Sequence, residues 1–269
     1  MARRKTVKRQ RGGNDVPPIH IVFFTYIDTK GKAWAESRGV KLLTEQMKDL
    51  VDTGLSAVAK SVNIVISSNK ANIFNNSTET RLDEIIETVE GIIPSATIHR
   101  SSGNRYEYPG IRLVWDIARK VPKEEEDKTL ILYFHSKGMQ SGGDDPQHVR
   151  TGDNVKLTET VIKPWKDIVK RFQTDPAVTK AGYAAGEGGW IWYNFFWVRA
   201  SYVKKCTRPI LTERRHYYED WISRIKTKET NHQPEPGKHS GVEGCLSLCV
   251  EGAGGPLGVG ISSNMEKCK

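Results

Sequence analysis

The chain has 269 residues, of which 37% are hydrophobic, 9% aromatic and 27% charged. That is too apolar for a disordered chain and lacks the bias of a fibre, and no run reaches the ~18 consecutive apolar residues of a membrane helix, so a soluble globular protein is expected. Lysines and arginines outnumber acids by 41 to 32, a formal net charge of +9, but Arg3, Arg4, Lys5, Lys8, Arg9 and Arg11 carry +6 of it within eleven residues that contain no acid.

Residues 1–18, with Gly12-Gly13 and Pro17-Pro18, read as a flexible basic tail, and residues 1–13 as a nonspecific polyanion contact that names no partner. Residues 19–27 (IHIVFFTYI) are a short apolar run rich in β-branched and aromatic residues, which predicts a buried strand. From 33 to 59, Leu42, Leu43, Met47, Leu50, Val51, Leu55 and Val58 recur at three and four, the period of one helical face. Residues 62–67 (VNIVIS) predict a second strand and 80–91 a second helix. Ile98 falls in a third short strand, residues 101–104 in a loop, and Pro109 opens a helix over 111–120, where its missing N–H would be unpaired anyway. Residues 129–134 (TLILYF) are a buried strand that delivers His135, Ser136, Lys137 and Gly138 at its carboxyl end.

Residues 139–153, rich in Gly and Asp, have no period and read as a long loop. A helix over 157–172 is expected to kink at Pro164. The densest aromatic run follows, 190–197 (WIWYNFFW), then short helices near 202–206 and from 214. Residues 226–269 read as an extension packed on the domain. Strands alternating with helices predict an α/β fold with a mostly parallel sheet flanked by helices in one domain over 19–225, with ligands at the carboxyl ends of the strands.

Signatures of nucleoside triphosphatases, dinucleotide-binding dehydrogenases, serine hydrolases of the GxSxG kind and HExxH metalloproteases are absent. No zinc finger, basic zipper or RNP motif occurs in the body. Cys206, Cys245, Cys249 and Cys268 are too few for a disulfide framework; Cys245 and Cys249 form half a zinc site unless His232 or His239 completes it, and reduced, incidental thiols are the simpler reading. The strand ends carry Thr25, Tyr26 and Asp28, then Ser67, Ser68 and Asn69, then His135 and Lys137, a polar floor suited to a nucleotide.

The strand ending TYID, the segment NRYEYPG (104–110), the strand LILYFHSKG, the block GWIWYNFFWVRASYV and the later RRHYYEDW together resemble GT-A type glycosyltransferases. More narrowly they are similar to glycosyltransferase-like proteins of large DNA viruses and some bacterial polysaccharide-synthesis enzymes with an H-[ST]-K element. The resemblance spans roughly residues 19–225 and implies a GT-A-like, Rossmann-like fold. It also implies transfer, inverting in stereochemistry, of a sugar from a nucleoside-diphosphate sugar to a hydroxyl of a glycan or protein acceptor.

The resemblance further implies a carboxylate on a helix start facing the anomeric carbon; Asp220 is the first choice and Glu219 the second, since one carboxylate must accept the acceptor's proton. Complementing a helix dipole is the structural alternative for this pair. The Asp-x-Asp motif that would hold Mn²⁺ or Mg²⁺ is missing, and His135-Ser136-Lys137 stands in its place, so metal dependence stays open. Lys137 supplies charge for a diphosphate; His135 binds phosphate or a divalent ion. Asp144 and Asp145 lie in the glycine-rich loop. Arg214 and Arg215 either meet the diphosphate or balance Glu219. Glu107 and Tyr108 are placed between the nucleotide floor and the sugar, Tyr108 as a nucleotide-sugar contact and Glu107, with Trp192 and Asn194, as an acceptor or sugar contact; the aromatic block otherwise reads as core, and Asn194, a polar amide within it, is either a core hydrogen-bond hub or a group that reads a sugar hydroxyl.

Two other classes remain: a catalytically silent nucleotide-sugar or carbohydrate-binding module, favoured by the missing Asp-x-Asp, and a nucleic-acid-binding accessory protein, motivated by the tail. With no signal-type apolar stretch behind the N-terminal charges, cytoplasmic action is the expectation, and the resemblance extends it to a host cytoplasm or a virion.

Overall fold

The apolar run 19–27 forms β1 (Ile19–Ile27), buried on both faces and therefore lacking the polar alternation of a half-exposed strand. In this computed structural model, which describes residues 16–27, 33–68, 77–136, 152–186, 188–226 and 244–248, β1 lies at the centre of a parallel half-sheet. β2 (Ser61–Ser68) pairs on one side of it and β4 (Leu130–His135) on the other, while β3 (Thr97–Ser102) pairs with β2. β3 takes in Ser101 and Ser102, which the sequence reading gave to a loop; pairing with Ser67 and Ser68 holds them extended.

The crossovers are helical. α1 (Ala33–Asp52) and α2 (Leu55–Val58) join β1 to β2, broken at Gly54, whose φ of 72° is left-handed and suits glycine. α3 (Ser77–Ile92) leads to β3, and α4 (Tyr108–Lys120), with Pro109 in its first turn, leads to β4. The expected helix over 157–172 is two pieces, α5 (Gly152–Leu157) and α6 (Trp165–Thr174), separated by a π-helical turn (Thr158–Ile162) and Pro164. Both interruptions disturb the i→i−4 ladder, which accounts for the bend.

Beyond β4 the sheet reverses. β5 (Lys180–Gly182) and β6 (Phe196–Arg199) enter antiparallel to each other, β6 is antiparallel to β4, and β7 (Cys245–Ser247) is parallel to β5. The order is β3-β2-β1-β4-β6-β5-β7, a mixed, mostly parallel seven-stranded Rossmann-like sheet. The domain therefore does not end at 225: the region read as a packed extension supplies an edge strand. α1, α3 and α6 cover one face of the sheet; α4, α7 (Ala200–Lys205) and α8 (Arg215–Asp220), which runs into a 3₁₀ turn (Trp221–Ser223), cover the other. No helix among the described residues is long and apolar enough to cross a membrane.

Three polar features lie inside. Arg199 donates Nε to the Val178 carbonyl at 2.7 Å, Nη2 to Phe172 at 2.5 Å and Asp175 at 3.2 Å, and Nη1 to Asp127. The guanidinium thus caps carbonyls at the C-terminus of α6, where the helix dipole favours a cation. Lys180, fully buried, donates to the Tyr202 hydroxyl at 2.6 Å, which donates to the Ile222 carbonyl at 2.9 Å; burial lowers its pKa. Nearby, burial pushes the free thiols of Cys206 and Cys245 up to about 12 and about 11, which disfavours the reactive thiolate; Cys249, Cys268, His232 and His239 lie outside the described residues. Near the amino ends of the strands a polar chain runs from His20 to Ser61 (2.7 Å), from Asn63 Nδ2 to Ser61 (2.9 Å), and from His99 Nε2 to Asn63 Oδ1 (3.2 Å).

Replacing Arg199 with Ala strands these carbonyls without a donor and is expected to cost about 3 kcal/mol in urea unfolding. A cost below about 1 kcal/mol would show the clamp to be dispensable. Burial lowers the pKa of His20 and of His99, with Lys60 and Lys120 adding to it. The unfolded chain therefore binds more protons, and the stability held above an ordinary histidine pKa of about 6.5 is lost as pH falls through the lower folded values. Urea midpoints measured across this range are expected to drop on acidification, and to drop less in the His20→Gln, His99→Gln double variant.

Candidate functional site

Strands β1, β2 and β3 build outward in one direction, and the chain then returns to place β4 on the other side of β1. The topological switch point lies between β1 and β4, where connections leave in opposite directions and open a crevice at the carboxyl ends. Part of the expected floor is engaged by the protein itself. Thr25 is fully buried with Oγ1 2.8 Å from Ser136 Oγ, and the Ser136 amide donates to the Phe24 carbonyl at 3.0 Å. Ser67 donates to the Gly103 carbonyl at 2.8 Å, and the Gly103 amide returns a bond to the buried Ser68 at 2.6 Å. The Thr25 and Ser67 hydroxyls, with the backbone carbonyl of Ser68, thus hold strand ends together. Tyr26 is half-buried against the α4 face. Asp28, Asn69, Lys137, Asp144 and Asp145 lie outside the described residues.

What the fold does bring together is Glu107, His135 and Asn194. Gly103 at φ 78° and Tyr106 at φ 50°, with the Asn104 side chain accepting from the Tyr106 amide at 3.1 Å, turn the chain so that Glu107 caps the start of α4 by position only. Its carboxylate turns away from the helix: Oε2 accepts from Asn194 Nδ2, and Oε1 lies 3.5 Å from His135 Nε2. His135, at the end of β4, donates Nε2–H to the Tyr193 carbonyl at 2.9 Å; a carbonyl can only accept, so this nitrogen carries the proton. Asn194, 1% exposed, also donates to the Tyr218 carbonyl at 2.9 Å.

Backbone strain collects here. Tyr106, Tyr193 and Asn194 are the non-glycine residues with positive φ among those described, and Tyr193 and Asn194 are consecutive at 67° and 53°. Left-handed residues of this kind cost on the order of 1–3 kcal/mol each and persist where the surroundings over-determine them. Beneath the cluster lies Tyr133, whose pKa is raised well above the usual phenol by burial first and by the Glu107 charge second. Its hydroxyl and Asn194 Oδ1 are both buried without a hydrogen-bond partner among the described residues. Gly110 makes room for this ring: a Cβ there would stand 2.8 Å from Phe24 Cβ and 2.9 Å from the Tyr133 ring.

The other expected residues sit around the cluster. Tyr108 starts α4 with its ring 6.4 Å from Tyr218, and Trp192 is 37% exposed, edge-on to Trp190 at 6.0 Å. Phe195, Phe196 and Trp197 are core. Glu219 and Asp220 close α8 instead of opening it, which corrects the helix-start placement and removes the dipole explanation for them. Both Asp220 oxygens accept from the Arg224 guanidinium, at 2.8 and 2.7 Å, and Glu219 is paired with Arg215 and His216. Sequence reasoning missed Arg224, although its i+4 spacing from Asp220 is a readable signal. It also missed the Tyr193 and Tyr218 carbonyls and the Tyr133 hydroxyl, for which no sequence signal exists.

Among the described residues no three His, Cys, Asp or Glu side chains converge to hold a metal ion. Glu107 and His135 offer two donors, both already bonded to protein, and this set does not fit a hard divalent cation that wants six or more oxygens. What the cluster can do is accept a hydrogen bond or proton at the Glu107 carboxylate and present buried polar groups to a hydroxyl-bearing ligand.

No protein-family model matches the chain, and no curated protein sequence matches it. Its structure is similar to the crystal structure of Rv0371c from Mycobacterium tuberculosis H37Rv, at 11% identity over 87% of this chain and 90% of that one, with a TM-score of 0.35.

Asn194→Asp keeps shape and tolerance of a left-handed backbone but sets a second carboxylate against Glu107. The pair can be accommodated only by holding a proton, so its folded pKa rises above the unfolded value. The penalty is therefore expected to be small in acid and to grow, to on the order of 2 kcal/mol, as pH rises to neutrality. Urea unfolding of both proteins across pH measures it, and a pH-independent difference would refute the contact.

Proposed function

We propose that the chain is a GT-A type glycosyltransferase that moves a sugar from a nucleoside-diphosphate sugar to a hydroxyl acceptor, a glycan or a protein, with inversion. The donor lies at the carboxyl ends of β1 and β4, and the acceptor approaches from the side of α8. One observation carries the reading. Four of the five segments bearing the resemblance meet in one cluster: NRYEYPG brings Glu107, LILYFHSKG brings His135, the aromatic block brings Tyr193 and Asn194, and RRHYYEDW brings Tyr218. Residues far apart in sequence that hold one carboxylate at a switch point, on strained backbone, are the arrangement expected of a preorganised site.

Within this reading Glu107 takes the place of general base ahead of Asp220, whose oxygens are occupied by Arg224. Asn194 and His135 orient the carboxylate, and Trp192 offers an aromatic edge to the sugar. The locking of Asp220 favours a second reading, a silent nucleotide-sugar-binding module.

A panel of nucleoside-diphosphate sugars, screened by thermal shift and by release of the nucleoside diphosphate with and without Mn²⁺, separates the two. A donor that raises the melting temperature is expected to be turned over, and Glu107→Gln to lower turnover by about 10²-fold or more while the thermal shift is retained. A shift without turnover for every donor leaves the silent module; no shift with any donor sinks both.

A further inference from the structure

One indole gathers three guanidinium groups away from the cluster described above. Trp115, half-buried on α4, has the Cζ atoms of Arg112, Arg119 and Arg208 at 5.4, 5.6 and 5.8 Å from its ring centroid. Arg112 is balanced by Asp116, one turn along, at 3.0 Å. Arg119 and Arg208 are exposed and have no carboxylate partner among the described residues. Like charges gathered on one ring repel, and among the described residues the indole face and, for Arg112, Asp116 offset that repulsion.

The positive face continues beyond the ring. α4 packs on α7, which ends at Lys205, and the Lys226 amide donates to the Lys205 carbonyl at 2.8 Å across the Cys206–Ile225 bridge. Both lysines are exposed; Asp116 is the sole acid in α4 and α7, and Glu126, from the turn between α4 and β4, pairs with Lys204 of α7 at 2.5 Å. We propose that this face docks the phosphate backbone of a nucleic acid, with Arg119 and Arg208 on phosphates and Trp115 as the positioning residue that holds their forks. Stacking fixes a planar guanidinium with its N–H edge outward, the geometry that meets a phosphate bidentately. A polynucleotide offers one charge at every residue, about 3.4 Å of rise apart on a strand, so it supplies partners to closely set arginines whatever its sequence. An acidic polypeptide does so only where acids happen to cluster. Residues 1–11 carry six further cations and no acid, and lie outside the described residues. The proposal stands on α4, α7 and residues 205–208, and none of its residues belongs to the Glu107 cluster.

The test is fluorescence anisotropy of the full chain with a labelled oligothymidylate of about 20 nucleotides at about 50 to 200 mM salt, with polyglutamate as competitor. Affinity is expected to fall steeply with salt. Arg119→Glu with Arg208→Glu is expected to weaken binding about tenfold or more and to flatten the log–log salt slope by about 1.4, at roughly 0.7 per phosphate contact on a single strand. Trp115→Leu, which keeps both charges, is expected to weaken binding several-fold without changing the slope. In a chain lacking residues 1–13 the remaining binding is expected to stay sensitive to the double charge reversal. Three results would each overturn the proposal: the double variant binds like the parent; binding vanishes with residues 1–13 alone; or polyglutamate displaces the oligonucleotide at equal charge. Circular dichroism of the double variant, altered only at exposed positions, separates loss of contact from loss of fold, and none of these outcomes bears on sugar-nucleotide binding.

Discussion

The side-chain amide of Asn194 joins segments that the chain order keeps apart. It holds the Glu107 carboxylate at the head of α4 and the Tyr218 carbonyl of α8, while its own backbone, with that of Tyr193, makes the left-handed turn that feeds β6 into the sheet. A hydrogen bond to a charged group contributes about 1.5–3 kcal/mol, comparable with the strain of one left-handed residue. The amide alone therefore cannot hold two such residues. The Tyr193 carbonyl bond from His135 and the burial of Phe195 and Phe196 against β4 supply the rest.

The two ends of the sheet are built on different principles. Near the amino ends, His20, Ser61, Asn63 and His99 form a chain of short-range polar contacts that stitches the parallel strands and leads nowhere. At the carboxyl ends, polar groups come from loops and helix termini and end in a carboxylate with two unpartnered buried atoms beside it. Arg199 and Lys180, both buried, add a third kind of polar interior, in which cations donate to carbonyls and a hydroxyl. Only the second of these arrangements stores strain.

Much of the parallel half was legible. β1 coincides with its apolar run, β4 ends at the expected histidine, the 3.6-residue period located α1 and α3, and Pro109 marked the first turn of α4. The reversed half was not. β6 hides inside an aromatic block that is buried on both faces and so shows no alternation. β5 and β7 have three residues each, too few for any period, and one of them is a buried lysine. At the site, Glu107, His135 and Asn194 could be named because polar types stand out at a strand end or among aromatics. Thr25 and Ser67 stood out equally, yet their hydroxyls close neighbouring strand ends; direction of a side chain is a property of packing that a list of residue types does not carry. Tyr193 contributes a carbonyl, which every residue possesses.

β7 has a consequence for how the molecule assembles. It is three residues long, yet it pairs with a strand lying 65 positions earlier, as the Thr179–Gly244 contact records. Closing so long a span costs entropy, which among the described residues is offset by the ladder with β5, the burial of Leu246 and Leu248 in the core, the Ser247 hydroxyl accepting from the Ala185 amide, and the Leu248 amide donating to Gly182. Through Ser247 the far rim of the sheet is fastened to the segment that leads, across the Ala185–Ile191 bridge, to the strained turn before β6.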